Sequence, residues 1–315
     1  MNTTYRLVQT PEDWSSAANL RNRVRTENPL TPEELQNSSL GRPEWAKIER
    51  YIMVVDGVDV GYGVINDPFW FHSRDRLEIV IVCPAAEHFA TFFDFLFDRG
   101  IELGANQLGA MTFTTRPWEV SHIESRGFTL VQRNCESAVD LTEFDPKDHL
   151  APLTPSMRIL SLPELAEEYP DTWKQMAWRI EMDLMSDVPL PEPFKEEPFE
   201  DWVIGLDSPT AQNEASFVLL DGDKPIATCQ LLPNLLDPSI SNTGLTGVLP
   251  EYRRKGLARA IKSHVLLWGK ARGIRQIWTD NEENNPMYQL NLELGYRKKF
   301  DWLFYSLSDV QSLAK

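Results

Sequence analysis

"VLPEYRRKGLARA", from Val248 to Ala260, ends an apolar run, turns at Pro250, and gathers Arg253, Arg254, Lys255 and Arg259 around Gly256 before a helical pattern begins. Positive charge is unfavourable at a helix start, where the helix dipole is already positive. The chain as a whole is acidic, with a net charge of −16, so this local concentration of cations points to an anionic ligand. The first amides of a helix have no intrahelical partner. Where glycine or alanine lets a ligand approach them, as Gly256 and Ala258 do here, those amides and the dipole form an anion site. A pyrophosphate satisfies both the amides and the cations. The alternative is a solvated basic turn.

Working outward from that stretch, the same pattern occurs twice. "YIMVVDGVDVGYGVI" reads as a hairpin turning at Asp56-Gly57, and "SFVLLDGDKPIATCQL" repeats it at Asp221-Gly222; Gly57 and Gly222 lie 165 residues apart. Strands end at Pro84 and at Pro250, 166 residues apart, and each is followed by an amphipathic helix and a short strand. A second helix then stops at Gly127 or at Gly295, 168 residues apart, glycine being the expected terminator because it accepts the left-handed conformation. In the second copy Leu257, Ile261, Val265 and Trp268 recur at helical spacing, and Gly273 ends the helix. The last strand alternates Phe300, Trp302 and Phe304 on one face. Near-constant offsets indicate a duplicated domain of α/β (α+β) class, each copy a mixed, largely antiparallel sheet with helices on both faces. The proline-rich, charged stretch Thr142–Ser156 separates residues 1–145 from 156–315.

Composition narrows the function. At 315 residues, 42% hydrophobic and 25% charged, the chain is long enough for two domains and ordinary for a globular protein. The acidic balance opposes a nucleic-acid or anionic-membrane partner. It suits a cationic small molecule, or simple solubility. No signal peptide or membrane-length apolar run is visible, so a cytoplasmic location is expected. Cys83, Cys135 and Cys229 are isolated and fit buried thiols. His72, His88, His122, His149 and His264 show no metal-ligand spacing, and no metal is expected.

The run Arg253-x-x-Gly256-x-Ala258, after a strand ending in Val-x-Pro, resembles the acetyl-coenzyme A pyrophosphate loop of the GNAT acetyltransferase superfamily. "NNPMYQLNLELGY" resembles the later motif of that superfamily, with Asn284 at the motif's Asn position. Together the motifs cover about Leu232 to Leu307. The resemblance implies cofactor contacts from Leu245, Thr246, Gly247 and Val248 on the strand. It implies further contacts from Arg253, Arg254, Lys255, Gly256, Leu257, Ala258 and Arg259, and from Asn284. In the first copy the loop reads "VCPAAEHFATF"; the motif is gone, and Glu87 puts an anion where a pyrophosphate would lie. A tandem GNAT with a degenerate first copy is the implied architecture, the first copy serving as scaffold or as part of the acceptor pocket.

The resemblance also implies direct attack of an amine on the thioester in a ternary complex, with the amide near Val248 as oxyanion donor. Many members carry a Tyr that protonates the thiolate; here that position is Asn291, which cannot donate a proton at neutral pH, and Tyr288 one turn earlier can substitute. The strand "NTGLTGV" has no carboxylate, leaving Thr243 or Thr246 to hold a relay water, or simply to favour the strand. Asp280 and Asn281 follow "QIWT", where the strands of this fold splay, and are expected near the reacting centre and the acceptor. Glu181, Asp183 and Asp187 form an acidic mouth suited to an amino-bearing acceptor, or a solvated loop. The expectation is an N-acetyltransferase acting on a small amine, as a monomer or homodimer. The alternative is a non-catalytic acyl-coenzyme A sensor.

Overall fold

Asp56 and Gly57 adopt left-handed backbone angles, φ 48° and 83°, and this two-residue turn closes the first hairpin as its sequence suggests. The computed structural model describes residues 2–38, 46–68, 75–189, 194–206 and 213–313. The chain divides into two units, one holding residues 1–135 and 300–315, the other 136–190 and 194–299.

The first unit contains β1 (Thr3–Leu7), α1 (Pro11–Asn22), α2 (Pro32–Asn37), β2 (Ile48–Val55), β3 (Val58–Asn66), β4 (Arg76–Val82), α3 (Phe89–Glu102), β5 (Gln107–Phe113), α4 (Pro117–Ser125) and the start of β6 (Thr129–Asp140). The second takes the end of β6, then β7 (Met157–Ser161), α5 (Leu162–Glu168), α6 (Trp173–Met185), α7 (Phe199–Leu206), β8 (Ser216–Asp221), β9 (Lys224–Pro233), β10 (Ile240–Val248), α8 (Leu257–Ala271), β11 (Gln276–Glu282) and α9 (Pro286–Glu293). From there β12 (Arg297–Ser308) carries the chain back into the first unit.

Strand order is β1-β2-β3-β4-β5-β12 in the first unit and β6-β11-β10-β9-β8-β7 in the second. The β4–β5 and β10–β11 pairs are parallel, whereas β1–β2–β3–β4, β5–β12 and β7–β8–β9–β10 pair antiparallel. The last strand of each copy therefore belongs to the other copy's sheet. Strand alternation dictates which face a side chain takes but not which neighbour a strand chooses, so the sequence pattern shows no trace of this exchange. The units accordingly do not part between residues 145 and 156. That stretch packs within the second unit: Phe144 and Leu153 lie against its core, and the Lys270 ammonium donates to the Phe144 carbonyl at 3.0 Å. The second hairpin also turns one residue later than expected. Asp221 still pairs with Lys224, so its loop is Gly222-Asp223, with Gly222 at φ 61°.

Helices cover both faces of each sheet. In the first unit α1 packs Ala17, Ala18 and Leu20 on one face, against Ile52, Tyr62 and Val82. On the opposite face α3 presents Phe89, Phe92, Phe93 and Leu96 at helical spacing, against Ile65, Ile79, Leu303 and Tyr305. Truncating one such phenylalanine costs about 3–5 kcal/mol. In the second unit α5 and α6 bury Leu162, Leu165 and Ala177 against Val218 and Leu220. On its other face α8 buries Leu257, Ile261, Val265 and Leu266 against Phe217, Leu219, Leu231 and Ile277. Cys83, Cys135 and Cys229 are buried free thiols.

One residue in the second core has an uncompensated charge. Lys262 on α8 is 1% exposed, and its ammonium has no hydrogen-bond partner among the described residues. The Tyr296 ring lies beside it, with its centroid 5.1 Å away. Burial lowers its pKa from 10.5 to about 8. A lowered pKa means that the unfolded chain holds a proton which the folded chain releases. The cost is therefore complete below pH 8 and disappears as pH rises to 10.5. Lys262→Met is expected to stabilise the protein at pH 7 by up to about 3 kcal/mol and to abolish the rise in stability between pH 8 and 10.5. Urea denaturation of both proteins at pH 7 and pH 10 measures this, and a less stable variant at pH 7 contradicts it.

Candidate functional site

The site begins where a pair of strands separates. β10 stays paired with β11 only from Ile240 to Asn242. On its other edge β10 skips against β9: Thr243 faces Leu231 and Thr246 faces Cys229, so Gly244 and Leu245 form a bulge. Beyond Asn242 the β11 side of the strand is open. Strand alternation decides which groups point there. The Leu249 amide donates to the Ile226 carbonyl on the β9 side, so the Val248 amide and carbonyl face the fork. Arg253 Nε donates to that carbonyl at 2.9 Å.

After β10 the chain turns through Pro250–Tyr252 and then uses two left-handed residues, Arg254 at φ 60° and Gly256 at φ 79°, before α8 starts. Among the described residues no side chain caps this helix, which leaves the opening amides of α8 without a protein acceptor. A backbone that alternates left-handed and ordinary angles turns successive N–H groups toward one point. A β-carbon at position 256 would meet only Ala151, at 3.7 Å, so the glycine is required by its angle rather than by crowding.

The four cations are held differently. Arg253 pairs with Asp187 and Arg259 with Glu293. Lys255 donates to the Glu251 carbonyl at 3.1 Å, 5.0 Å from the Tyr252 ring centroid. Arg254 is exposed and makes no ion pair among the described residues. Asp187, expected at the acceptor mouth, is thus the counter-charge of the loop. Asp183 pairs with Arg179 at 2.8 Å on the exposed face of α6. Of these three acids only Glu181 turns inward. Its Oε2 accepts from Trp202 Nε1 at 3.2 Å and from Gln230 Nε2 at 3.1 Å. Burial raises its pKa above the ordinary carboxylate value, against the lowering effect of those two bonds.

On the far side of the fork the structure joins two of the expected residues. Asn291 is fully buried, and its Nδ2 donates to Asn281 Oδ1 at 2.6 Å, while its own Oδ1 has no partner among the described residues. Tyr288 is half-buried one turn earlier, and Asp280 is exposed. Asn284 is exposed and bound to the Glu282 carboxylate through both its backbone N and Nδ2, each at 2.9 Å. The cap of α9 is Asn285, whose side chain accepts from the Met287 amide at 2.9 Å. Leu245, Thr246 and Gly247 are half-buried along β10, and Leu257 is buried. The sequence reading missed Gln230 and Trp202. Alternation along β9 puts Gln230 on the face opposite Cys229, but nothing local indicates its partner.

The corresponding fork of the first unit is closed. There β4 and β5 pair from Arg76 to Ile79 and then separate. Arg116, just before α4, donates to the Cys83 carbonyl beyond β4 and pairs with Glu119. Thr112 donates to the same carboxylate. Pro117 opens α4 as Pro286 opens α9, so Glu119 occupies the place of Tyr288. Between β4 and α3 no residue has a positive φ, and no converging amides form. Burial raises the Glu119 pKa despite its partners. Replacing Arg116 by Met is expected to destabilise the protein by about 3 kcal/mol at pH 7, because it strands a buried carboxylate. Protonation of Glu119 relieves that strain, so the loss shrinks toward pH 5. Denaturation curves at both pH values measure it, and an equal loss at each contradicts it.

Among known proteins, residues 171–296 match the Acetyltransferase (GNAT) family. No curated protein sequence matches the chain. Solved structures are similar over nearly the whole length. A GCN5-related N-acetyltransferase from Sphaerobacter thermophilus has a TM-score of 0.74 at 15% identity, with 97% of this chain and 95% of that one covered. A tandem GNAT protein from the clavulanic acid biosynthesis pathway gives 0.71 at 13%, covering 98% and 99%. A GNAT-family acetyltransferase from Colwellia psychrerythraea gives 0.60 at 12%, covering 97% and 100%. At these identities the likeness is one of fold. No helix among the described residues is long and apolar enough to cross a membrane.

Proposed function

We propose that the chain is an acetyl-coenzyme A-dependent N-acetyltransferase acting on a small amine, because residues 171–296 match the GNAT acetyltransferase family and the chain is similar in fold to a tandem GNAT protein. The second unit is the catalytic one, and the first is a degenerate copy. The observation that carries this reading is the pair of left-handed residues, Arg254 and Gly256, opening an uncapped α8 beside a free arginine. The pyrophosphate would accept from the amides of Leu257, Ala258 and Arg259, with Arg254 and Lys255 in range to neutralise it. Arg253 and Arg259 are held by Asp187 and Glu293 and frame the loop.

The rest of the cofactor would follow β10 into the fork past Thr246 and Gly247. The Val248 amide faces the opening and is the donor for the developing oxyanion. Holding amine and thioester in line contributes several kcal/mol, up to about 7–11 in ideal cases. The Asn291–Asn281 pair stands on the far side, where Asn291 can hydrogen-bond the departing sulfur but cannot protonate it. A thiolate whose acid has a pKa of about 8.5 leaves acceptably without that help. Tyr288, half-buried on the same helix, is the available proton donor. Asn291 at the usual acid position and the absence of a carboxylate on β10 favour a second reading, a binding protein that senses acyl-coenzyme A without turnover.

Gly256→Glu forces a side chain into a left-handed angle and places a carboxylate on the anion site, a like-charge contact that costs several kcal/mol. Acetyl-coenzyme A affinity is expected to fall at least about 100-fold by isothermal titration. Unchanged affinity, or no binding by the wild-type protein at micromolar concentration, removes the cofactor reading.

A further inference from the structure

The expected reaction needs a group that accepts a proton from the acceptor's ammonium, and β10 supplies none. The carboxylate in range belongs to a helix. α6 packs onto β10 where Leu184 covers Gly247; a β-carbon there would lie 3.0 Å from Leu184 Cδ2. Glu181 is one turn before Leu184 on the same helix face, which sets it opposite the bulge. Gln230 bridges the two. Its Nε2 donates to Glu181 Oε2 at 3.1 Å, and its Oε1 accepts from the Leu245 amide at 3.4 Å. A single side-chain amide therefore separates the Glu181 carboxylate from the bulged backbone.

This contact fixes the carboxylate without using it up. Trp202 and Gln230 both donate to Oε2, and no bond to Oε1 is found among the described residues. Gly244 is constrained in the same place, since a β-carbon there would lie 2.9 Å from Gln230 Oε1. Bulge, glutamine and glutamate thus form one fitted unit. Around it stand Trp202 and Asp201 of α7, Glu197 just before that helix, and Gln230 on β9; on α6 itself Asp183 is held by Arg179. Asp183 and Asp187, the other acids of the segment, are both paired with arginines.

We propose that Glu181 Oε1 is the base of the transfer, taking the ammonium proton directly or through one water; this rests on the cofactor reading above. The freed amine nitrogen attacks the thioester carbon, the C–N bond forms, and the C–S bond breaks. The nitrogen gives up its second proton as the amide forms; the sulfur leaves as thiolate and takes up that proton through solvent, and Glu181 returns the first proton to solvent. The acceptor is then an amine that arrives protonated. Glu181 is neutralised by that proton rather than by a protein cation.

The test uses the full chain, with ethylamine, phenethylamine and spermidine as acceptors and thiol release from acetyl-coenzyme A as readout. Glu181→Gln should keep acetyl-coenzyme A affinity within about twofold by titration calorimetry. It should lose about 10²–10⁴-fold in kcat and the acid limb of the wild-type pH–rate profile, whereas Glu181→Asp should restore much of the rate with a displaced limb. A Gln variant that keeps both the rate and the limb overturns the assignment while leaving the cofactor reading intact. So does a wild-type protein that binds acetyl-coenzyme A and releases thiol with none of these amines. Failure of the wild type to bind acetyl-coenzyme A removes the cofactor reading and this assignment together.

Discussion

The second unit is organised by the loss of pairing between β10 and β11 after Asn242. A parallel ladder that ran to the strand ends would satisfy every backbone group there and leave nothing to bind with. Instead the bulge at Gly244 and Leu245 bends β10 away, and the freed edge presents the Val248 amide and carbonyl to the opening. The same bend brings the strand end to Pro250, from which the chain can enter α8 through two left-handed residues. Open strand edge and uncapped helix are therefore consequences of one irregularity, and both leave backbone N–H groups without a partner in the regular structure.

The two copies show how little is needed to lose such a site. Both sheets contain the parallel pair, and both pairs separate. In the first unit Arg116 spans the gap to the Cys83 carbonyl and Glu119 neutralises it, so the polar groups a ligand would satisfy are satisfied internally. With the glycine gone and Phe89 buried at the start of α3, no converging amides remain. The same scaffold thus carries an open fork or a closed one according to what fills it.

Much of this architecture is legible in the sequence because it depends on local rules. Helix-ending Gly127 and Gly295, the hairpin at Asp56-Gly57 and the helical spacing from Leu257 to Val265 are each decided within a few residues. The cation-rich turn into α8 is legible for the same reason, as cations and Gly256 sit together in the chain. Contacts between distant segments are not. Glu181, Asp183 and Asp187 look alike in sequence, yet only the helix phase and the position of Arg179 and Arg253 separate the inward acid from the two that are paired. Asn285 caps α9 while its neighbour Asn284 is held by Glu282, a difference between adjacent asparagines that no spacing rule resolves. The exchange of β6 and β12 is the largest such gap, since strand partners are chosen by the assembled sheet.

That exchange imposes an order on biosynthesis. The first half of the chain emerges from the ribosome with β5 at the edge of its sheet, and the strand that belongs beside it, residues 302–308, is made only after the second unit has emerged. Leu303, Tyr305 and Val310 complete the core under α3, so the N-terminal half must wait with an open strand edge and an incomplete interior until those residues are made. A nascent chain halted before Phe300 would have the strands and helices of the second unit, and a first unit exposed to adventitious pairing.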